Sequence, residues 1–241
     1  MPQSHNGHAI NNRILRSLPS ATRKRLLPAL EHVSTVRPQA MDRVDQPIEY
    51  LYFVNRGMVS FVKTMQDGRT VEVGAVGIEG VTDPNALFVV DRSIVDSLVQ
   101  IPGSAFRIQR ETLRREMAKD AMLREMMQRY ARFAIGQFMQ TAACNCLHSL
   151  EERSCRWLLM AHDSALDDTF PLTHEFLAMM LGVQRTGVSI AANLLQKAGL
   201  IRYARGSVTI TNREGLEDAA CECYGVVQGE LESLFAASRR Q

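Results

Sequence analysis

Between Val183 and Arg213 the chain places Arg185, Lys197, Arg202, Arg205 and Arg213 without a single Asp or Glu. The chain as a whole nearly cancels its charges, with 28 Lys and Arg against 26 Asp and Glu and a formal net charge of +2. A basic run inside a nearly neutral protein concentrates positive potential on one surface, where it displaces counterions from a polyanion. The side chains around these cations are of the types that read base edges. An Arg fork bonds both acceptors of guanine, Gln and Asn suit adenine, and an apolar group such as Ile190 meets a thymine methyl. The candidate contacts to a nucleic acid are Gln184, Arg185, Thr186, Ser189, Ile190 and Asn193 on one segment, with Thr173 ahead of it and Arg205 behind.

The elements that must hold these residues follow from spacing. LTHEFLAMMLG reads as a short helix that starts at Thr173, whose hydroxyl caps free N–H groups, and ends at Gly182. VQRTGVSIAANLLQKAGL reads as a second helix only a few residues on, so the pair forms a helix-turn-helix unit. Stepped at ~100° per residue, Val188, Ala191, Ala192 and Leu195 fall on one face as a core stripe. Gln184, Arg185, Thr186, Ser189 and Asn193 fall on another face, with Ile190 at its edge. LIRYARGSVTIT adds two predicted strands, Leu200 to Tyr203 and Val208 to Thr211, hinged at Arg205-Gly206, which makes a wing with Arg205 at its tip. A polar helix face by itself would equally meet water. The tight turn, the missing acids and the basic hairpin tip together point to double-stranded DNA.

Ser149-Leu-Glu-Glu152 matches a capping box and opens a helix carrying Arg156, Trp157, Leu158, Leu159 and Met160 beneath the reading pair. Thr211-Asn-Arg-Glu214 is a second such box and is predicted to start the final helix. Arg110 to His148 contains no Pro and is rich in Met, Arg, Glu and Ala, so it is expected to be largely helical with a break near Lys119-Asp120. Leu123, Met126 or Met127, Tyr130, Phe133 or Ala134, and Leu147 recur at spacings of three and four, interrupted by Gln137 and Thr141. This stripe is wide enough to meet both a β unit and a second helix, and spacing alone leaves plain core and dimer seam both open. Gly136, which costs ~1 kcal/mol relative to Ala inside a helix, fits a place where another backbone approaches.

Nearer the front, Tyr50 to Val62 and Thr70 to Val76 are rich in Val, Phe and Tyr and broken by Gly57, Gly68 and Gly77, the look of short strands and tight turns. Gln66-Asp67-Gly68-Arg69 reads as a hairpin turn. Val95 to Ile101, ended by Pro102-Gly103, and Ala105 to Ile108 add further strands. Ile14, Leu15, Leu18, Leu26 and Leu27, interrupted by Pro19, predict two short helical pieces before this β unit.

On these residues the chain resembles transcription regulators of the Crp/Fnr family over nearly its whole length. PIEYLYFVNRGMVSFVKTMQDGRTVEVGAVGIEG is similar to the family's sensor, a β-roll related to cyclic-nucleotide-binding modules, and the helix-turn-helix, wing and TNREGLEDAACECYG resemble its winged-helix domain. The resemblance implies an α+β fold of three parts: a β-roll (double-stranded β-helix) sensor at 1–118, a long connecting and dimerisation helix at 119–148, and a winged helix-turn-helix at 149–241. It implies a homodimer that binds double-stranded DNA in a sequence-specific way and meets RNA polymerase. A different kind of protein, a ligand- or protein-binding sensor that has lost DNA binding, is the alternative.

The family's best-known recognition helix opens Arg-Glu, with another Arg four residues after that Glu. The matching positions are Arg185, Thr186 and Ile190, so the preferred DNA sequence differs from that of the cyclic-AMP receptor. In the sensor, cyclic-nucleotide binders hold the phosphate in a cassette with Gly-Glu near its start and Arg-Ser at its end. The nearest equivalents are Glu79 in GIEG and Arg92-Ser93 in DRSI, and the intervening VTDPNALFVVD is long enough to work against convergence on one phosphate. Matching helix ends by the Ser149 cap, the positions that would face an adenine are Phe138 and Met139, and neither offers a hydroxyl. Cyclic AMP is therefore not expected; an altered small-molecule effector or none is, and no cofactor is assigned.

Other chemistries fit less well. Cys144, Cys146, His148, Cys155 and His162, or Cys221 and Cys223, could be gathered into a metal or iron-sulfur site, but residues two apart on a helix point about 200° away from each other. Oxygen-sensing relatives carry cluster cysteines near the N-terminus, where this chain has none, so no metal site is expected. A single redox-active thiol stays open, with no feature to pick it out. No glycine-rich phosphate loop or nucleophile elbow is visible, and a solvated face or phosphate contact accounts for His174 and Glu175, so an enzyme is not expected. MPQSHNGHAI lacks the apolar core of a signal peptide, no stretch approaches ~18 continuous apolar residues, and the five cysteines are odd in number. A cytoplasmic protein with reduced thiols and no membrane partner is expected.

Overall fold

The computed structural model describes residues 4–84 and 91–236. In chain order the elements begin with a small ribbon, β1 (Ser4–His5) and β2 (His8–Ala9), two short helices, α1 (Arg13–Ser17) and α2 (Ser20–Leu26), and a 3-10 turn at Leu27–Ala29. A sheet follows: β3 (Glu31–Thr35), β4 (Ala40–Asp42), β5 (Tyr50–Thr64), β6 (Thr70–Val76) and β7 (Asp96–Gln109). Next come α3 (Arg110–Lys119), α4 (Ala121–Leu147) and α5 (Leu150–Ala165), then β8 (Thr169–Pro171), α6 (His174–Leu181) and α7 (Arg185–Lys197). The chain finishes with β9 (Ile201–Ala204), β10 (Ser207–Ile210), α8 (Arg213–Asp218) and α9 (Cys223–Ala236). This is the expected α+β architecture.

The larger sheet is antiparallel in the order β3-β7-β5-β6, with β4 also on β7. Gly57 and Pro102-Gly103, read from sequence as strand ends, are instead bends within two continuous strands. The β5 and β7 pairing shifts register three times between Val54 and Val59, and Gly57 takes φ +88°. The backbones approach so closely there that a Cβ on Gly57 would stand 2.4 Å from the Ile101 carbonyl oxygen, and one on Gly103 2.1 Å from that of Arg56. Bulges of this kind curl a sheet without ending it. The predicted hairpin at Gln66–Arg69 is present: Gly68 sits at φ +84° and the Met65 N–H donates to the Arg69 carbonyl at 2.8 Å.

The break between α3 and α4 is a capped junction. The Asp120 carboxylate accepts the N–H groups of Met122 and Leu123 and the Thr22 hydroxyl at 2.6 Å, and it pairs with Arg25. On α4, Leu123, Met126, Met127, Tyr130, Phe133 and Ala134 are buried as expected, together with Gln137, Thr141 and Cys144. Leu147 departs from that stripe. It is 79% exposed and belongs to a different face with Ile135 and Met139, which are 44% and 69% exposed.

The Ser149 capping box forms, with Ser149 and Glu152 each bonding the other's backbone N–H. The second predicted box does not. Asn212 caps α8 by accepting the Gly215 N–H at 3.0 Å, because the Thr211 hydroxyl is already given to the Gly199 carbonyl at 2.8 Å.

Two apolar cores cut across the order of elements. One joins Met58, Val62, Ala75 and Ile101 of the sheet to Trp157, Leu158, Leu177, Leu181, Val188 and Leu195 of α5, α6 and α7. The other takes in Val227, Leu231, Leu234 and Phe235 of α9 beside Phe53, Phe106 and Tyr130, so the final helix returns to the front of the chain. Arg13 locks that return, pairing with Glu232 at 2.8 Å and lying 4.5 Å over the Phe235 ring.

At the junction of sheet and α5, the buried Glu72 carboxyl accepts the Ser60 hydroxyl and the Trp157 indole N–H, the latter at 3.4 Å. Burial outweighs these bonds and the nearby Arg156, and pushes the pKa up from 4.5 to about 7. A raised carboxyl contributes stability that is full below its unfolded pKa and is lost as pH rises through the folded one. The stability of the wild type relative to Glu72→Gln should therefore fall by about 3 kcal/mol between pH 4.5 and pH 8, read from urea melts of both proteins. A difference independent of pH would show that the carboxyl is not held neutral at this junction.

Candidate nucleic-acid interface

The interface is built on α6, α7 and the wing. Thr173 caps α6, its hydroxyl accepting the Phe176 N–H at 3.2 Å, and Gly182 closes the helix in the left-handed conformation at φ +66°. A side chain at Gly182 would also meet Val71 of β6 at 2.9 Å. The Val183 N–H then bonds the Ala178 carbonyl at 3.0 Å, and α7 begins two residues later. Val188, Ala191, Ala192 and Leu195 are buried, as the periodicity predicts.

The opposite face of α7 is free. Gln184, Arg185, Thr186, Ile190 and Asn193 are exposed, and the Gln184 side chain makes no capping bond. Ile190 is 62% exposed, a large apolar side chain held outward among polar ones. Ser189 is half-buried, its hydroxyl 3.0 Å from His174 Nδ1. The His174 ring stands edge-on to Tyr203 with centroids 4.6 Å apart, so one imidazole ties the start of α6 to the side of α7 and to the wing. Burial first, and the Arg185 charge second, lower the His174 pKa, which keeps the ring neutral. Periodicity cannot reveal this tie, because its three members are distant in sequence.

The wing is β9 paired with β10, with β8 on the far side of β10. Its tip is Arg205-Gly206, both at positive φ, +49° and +79°, a conformation that turns the hairpin tightly and leaves Arg205 exposed. A cleft of about 390 Å³ lies between the tip and the helix starts, lined by Thr173, His174, Glu175, Arg185, Tyr203 and Arg205 among others. The structure thus brings Thr173, Arg185 and Arg205 to one concave surface and runs Thr186, Ile190 and Asn193 along the ridge beside it. Two guanidinium groups and a hydroxyl across a cleft suit a phosphate backbone, and the ridge suits base edges.

The five residues considered for an effector do not converge. Glu79 accepts the Gly77 N–H at 2.8 Å, has a pKa raised by burial, and lines a cavity of about 250 Å³ with Arg13, Gln137 and Asp163. Arg92 donates to the Asp45 carbonyl at 2.5 Å and the Ser93 hydroxyl to the Val95 carbonyl at 2.8 Å, and neither lines that cavity. Of the long segment between Glu79 and Arg92, residues 85–90 lie outside the described residues. Phe138 points into the sheet, edge-on to Phe61 with centroids 5.8 Å apart, and a Cβ on Gly74 would stand 2.2 Å from its ring. It lines a second cavity, of about 400 Å³, with Phe61, Val71, Val73, Ile94 and Ile135. Met139, next to it, faces outward.

The cysteines also depart from the sequence reading. Cys144 and His148 at the end of α4 meet Cys221 and Cys223, and their ligating atoms all lie within 4.8 Å of one another. Cys221 and Cys223 do not point apart around a helix, because Cys221 precedes α9 and only Cys223 is on it.

Residues 152–219 match the Crp-like helix-turn-helix domain family. No curated protein matches the sequence. The fold is similar to that of FixK2 from Bradyrhizobium japonicum, with 18% identity and a TM-score of 0.67 over 80% of this chain and 98% of that one. It is also similar to a putative transcriptional regulator of the Crp/Fnr family from Eubacterium rectale, at 17% identity and 0.65 over 87% and 98%. A third similar structure is the c-di-GMP responsive global regulator CLP of Xanthomonas campestris, at 18% identity and 0.60 over 80% and 99%.

Arg185→Ala should weaken binding to a preferred duplex by ~1 to 3 kcal/mol while changing random duplexes less. Arg205→Ala should weaken both alike and reduce the slope of log affinity against log salt by about 1. Fluorescence anisotropy at two salt concentrations measures both effects, and an unchanged salt slope would remove Arg205 from the phosphate contacts.

Proposed function

We propose that this Crp/Fnr-type chain is a sequence-specific transcription regulator that works as a homodimer, in which α7 enters the major groove and the wing grips the flanking backbone. The observation that carries the reading is the exposed ridge of Gln184, Arg185, Thr186, Ile190 and Asn193 beside a cleft holding Thr173 and Arg205, within a segment that matches a Crp-like helix-turn-helix. Ser189 completes the ridge when His174 lets its hydroxyl turn outward. In this reading residues 1–118 sense, 119–148 connect and dimerise, and 149–241 read DNA, with the returning α9 keeping the last part in contact with the first. Proteins of this type are regulators, not enzymes. The working compartment is the cytoplasm, and RNA polymerase is the further partner. Among the described residues no helix is long and apolar enough to cross a membrane.

The dimer seam is the outer face of α4. Ile135, Met139 and Leu147 are exposed at helical spacing, Ala142, Ala143 and Cys146 lie between them, and a Cβ at Gly136 would meet nothing within 4 Å. An apolar stripe of this kind at an open Gly suits a second copy of the same helix. Pairing there sets two copies of α7 apart by a fixed distance, which must match about one turn of the duplex.

The effector is not cyclic AMP in this reading. Glu79, Arg92 and Ser93 give no shared phosphate cradle, and the larger cavity beside Phe138 is walled mainly by apolar side chains. A small apolar ligand there would push on Phe138, beside the seam residue Met139 and one turn from Ile135, and so change the angle between the two reading heads.

Met139→Asp should convert a dimer into a monomer in light scattering and abolish tight operator binding while leaving the melting temperature of the chain nearly unchanged. Titration of the wild type against pooled genomic fragments at two salt concentrations tests the reading as a whole. Tight, salt-sensitive binding to a subset is expected, and equal weak binding to every fragment would favour a sensor that no longer reads DNA.

A further inference from the structure

The end of α4 and the start of α9 meet at four side chains whose chemistry the DNA-reading role does not use. Cys144 lies in the last turn of α4, and His148, four residues on, is the residue that caps it. Cys221 lies just before α9, Cys223 is its first residue, and the residue between them, Glu222, turns outward. Cys144 Sγ stands 3.5 Å from Cys221 Sγ, and Cys223 Sγ stands 3.5 Å from His148 Nδ1. A tetrahedral zinc ion with bonds of about 2.3 Å to sulfur and 2.0 Å to nitrogen sets its ligand atoms about 3.5 to 3.8 Å apart. We propose that Cys144, His148, Cys221 and Cys223 bind one zinc ion in a closed structural site that ties α4 to α9.

The surroundings fit a ligand set more closely than four idle side chains. The three cysteines are buried, so the site has no open position for a substrate and its role is to hold structure. His148 turns Nδ1 inward while Nε2 lies 3.1 Å from the Glu222 carboxylate, the outer partner that fixes a ligating imidazole's tautomer. Gln140 Nε2 donates to Cys223 Sγ at 2.9 Å, a bond that steadies a thiolate. Three thiolates against two positive charges leave one negative charge, and Arg153 and Arg156 of α5 line the small cavity beside Cys144 that faces it. Soft sulfur with one imidazole selects zinc over the oxygen-seeking calcium and magnesium. A Cys144–Cys221 disulfide would need the sulfurs to close from 3.5 Å to about 2.05 Å and would engage neither Cys223 nor His148.

The test uses the full chain, expressed with zinc in the medium and purified without a metal-affinity column. Elemental analysis should find about one zinc per chain. Cys144→Ser and Cys223→Ser should lose it, while Cys146→Ser, at an exposed position of the same helix, should keep it. Replacement by cobalt(II) should give the charge-transfer and visible bands of a tetrahedral thiolate site. If the serine variants do not fold, alkylation of the wild type decides: Cys146 should react at once, and Cys144, Cys221 and Cys223 only after a chelator is added. Absence of zinc from the wild type, zinc retained by folded quartet variants, immediate alkylation of the three thiols, a Cys144–Cys221 disulfide in the mass spectrum, or iron in place of zinc would each overturn the proposal. None of these outcomes depends on whether the chain reads DNA.

Discussion

The contact on which the molecule depends is the apolar core shared by the outer face of the sheet and α5. Met58, Val62, Ala75 and Ile101 bury against Trp157 and Leu158, and the same cluster continues through Leu177 and Leu181 into Val188 and Leu195 of the reading helix. Apolar burial of about 25 cal/mol per Å² has no direction of its own, but close packing allows few arrangements of these side chains. These side chains therefore join β5 and β6 to α5 and α7 in one continuous core. Glu72 is the polar part of that contact, a carboxyl on β6 bonded to an indole on α5, and its burial gives the junction a dependence on pH that no surface group would supply.

The long helix divides its labour between its faces. One face, from Leu123 to Phe133, closes the sheet's own core, where Tyr130 donates its hydroxyl to the Val81 carbonyl at 2.8 Å. The opposite face leaves Ile135 and Met139 in the open. Phe138 sits between the two, with its ring pressed over Gly74, so a residue that lines the larger cavity also lies between the sheet and the exposed stripe. The Phe138 ring therefore touches the sheet on one side and adjoins the exposed Ile135 and Met139 on the other without an intervening loop.

The returning C-terminal helix gives the fold a second closure. Val227, Leu231, Leu234 and Phe235 pack beside residues of the first half, Arg13 pairs with Glu232, and the Cys and His quartet sits where α9 begins. The winged unit is consequently held at two ends, by α5 against the sheet and by α9 against α4. Packing at both ends leaves no free linker between the sheet and the winged unit.

What the sequence determined by itself is what short-range spacing encodes. The Thr173 and Ser149 caps, the Gly182 stop, the buried stripe of α7, the Asp120 break and the Arg205-Gly206 tip all depend on residues within one or two turns of each other, so their types suffice to place them. The exposed polar face of α7 was legible for the same reason, since a helix presents its polar face wherever its apolar face is buried. Tertiary structure decided everything that depends on distant partners. It turned Gly57 and Gly103 into opposed bends, because each is needed where the other strand's carbonyl passes, and it assigned the α8 cap to Asn212, because the Gly199 carbonyl after α7 had already engaged Thr211. It set Glu79 apart from Phe138 and brought Cys144 to Cys221 across 77 residues, with Cys223 beside them. Such meetings follow from how whole faces bury one another, and no local periodicity records which face meets which.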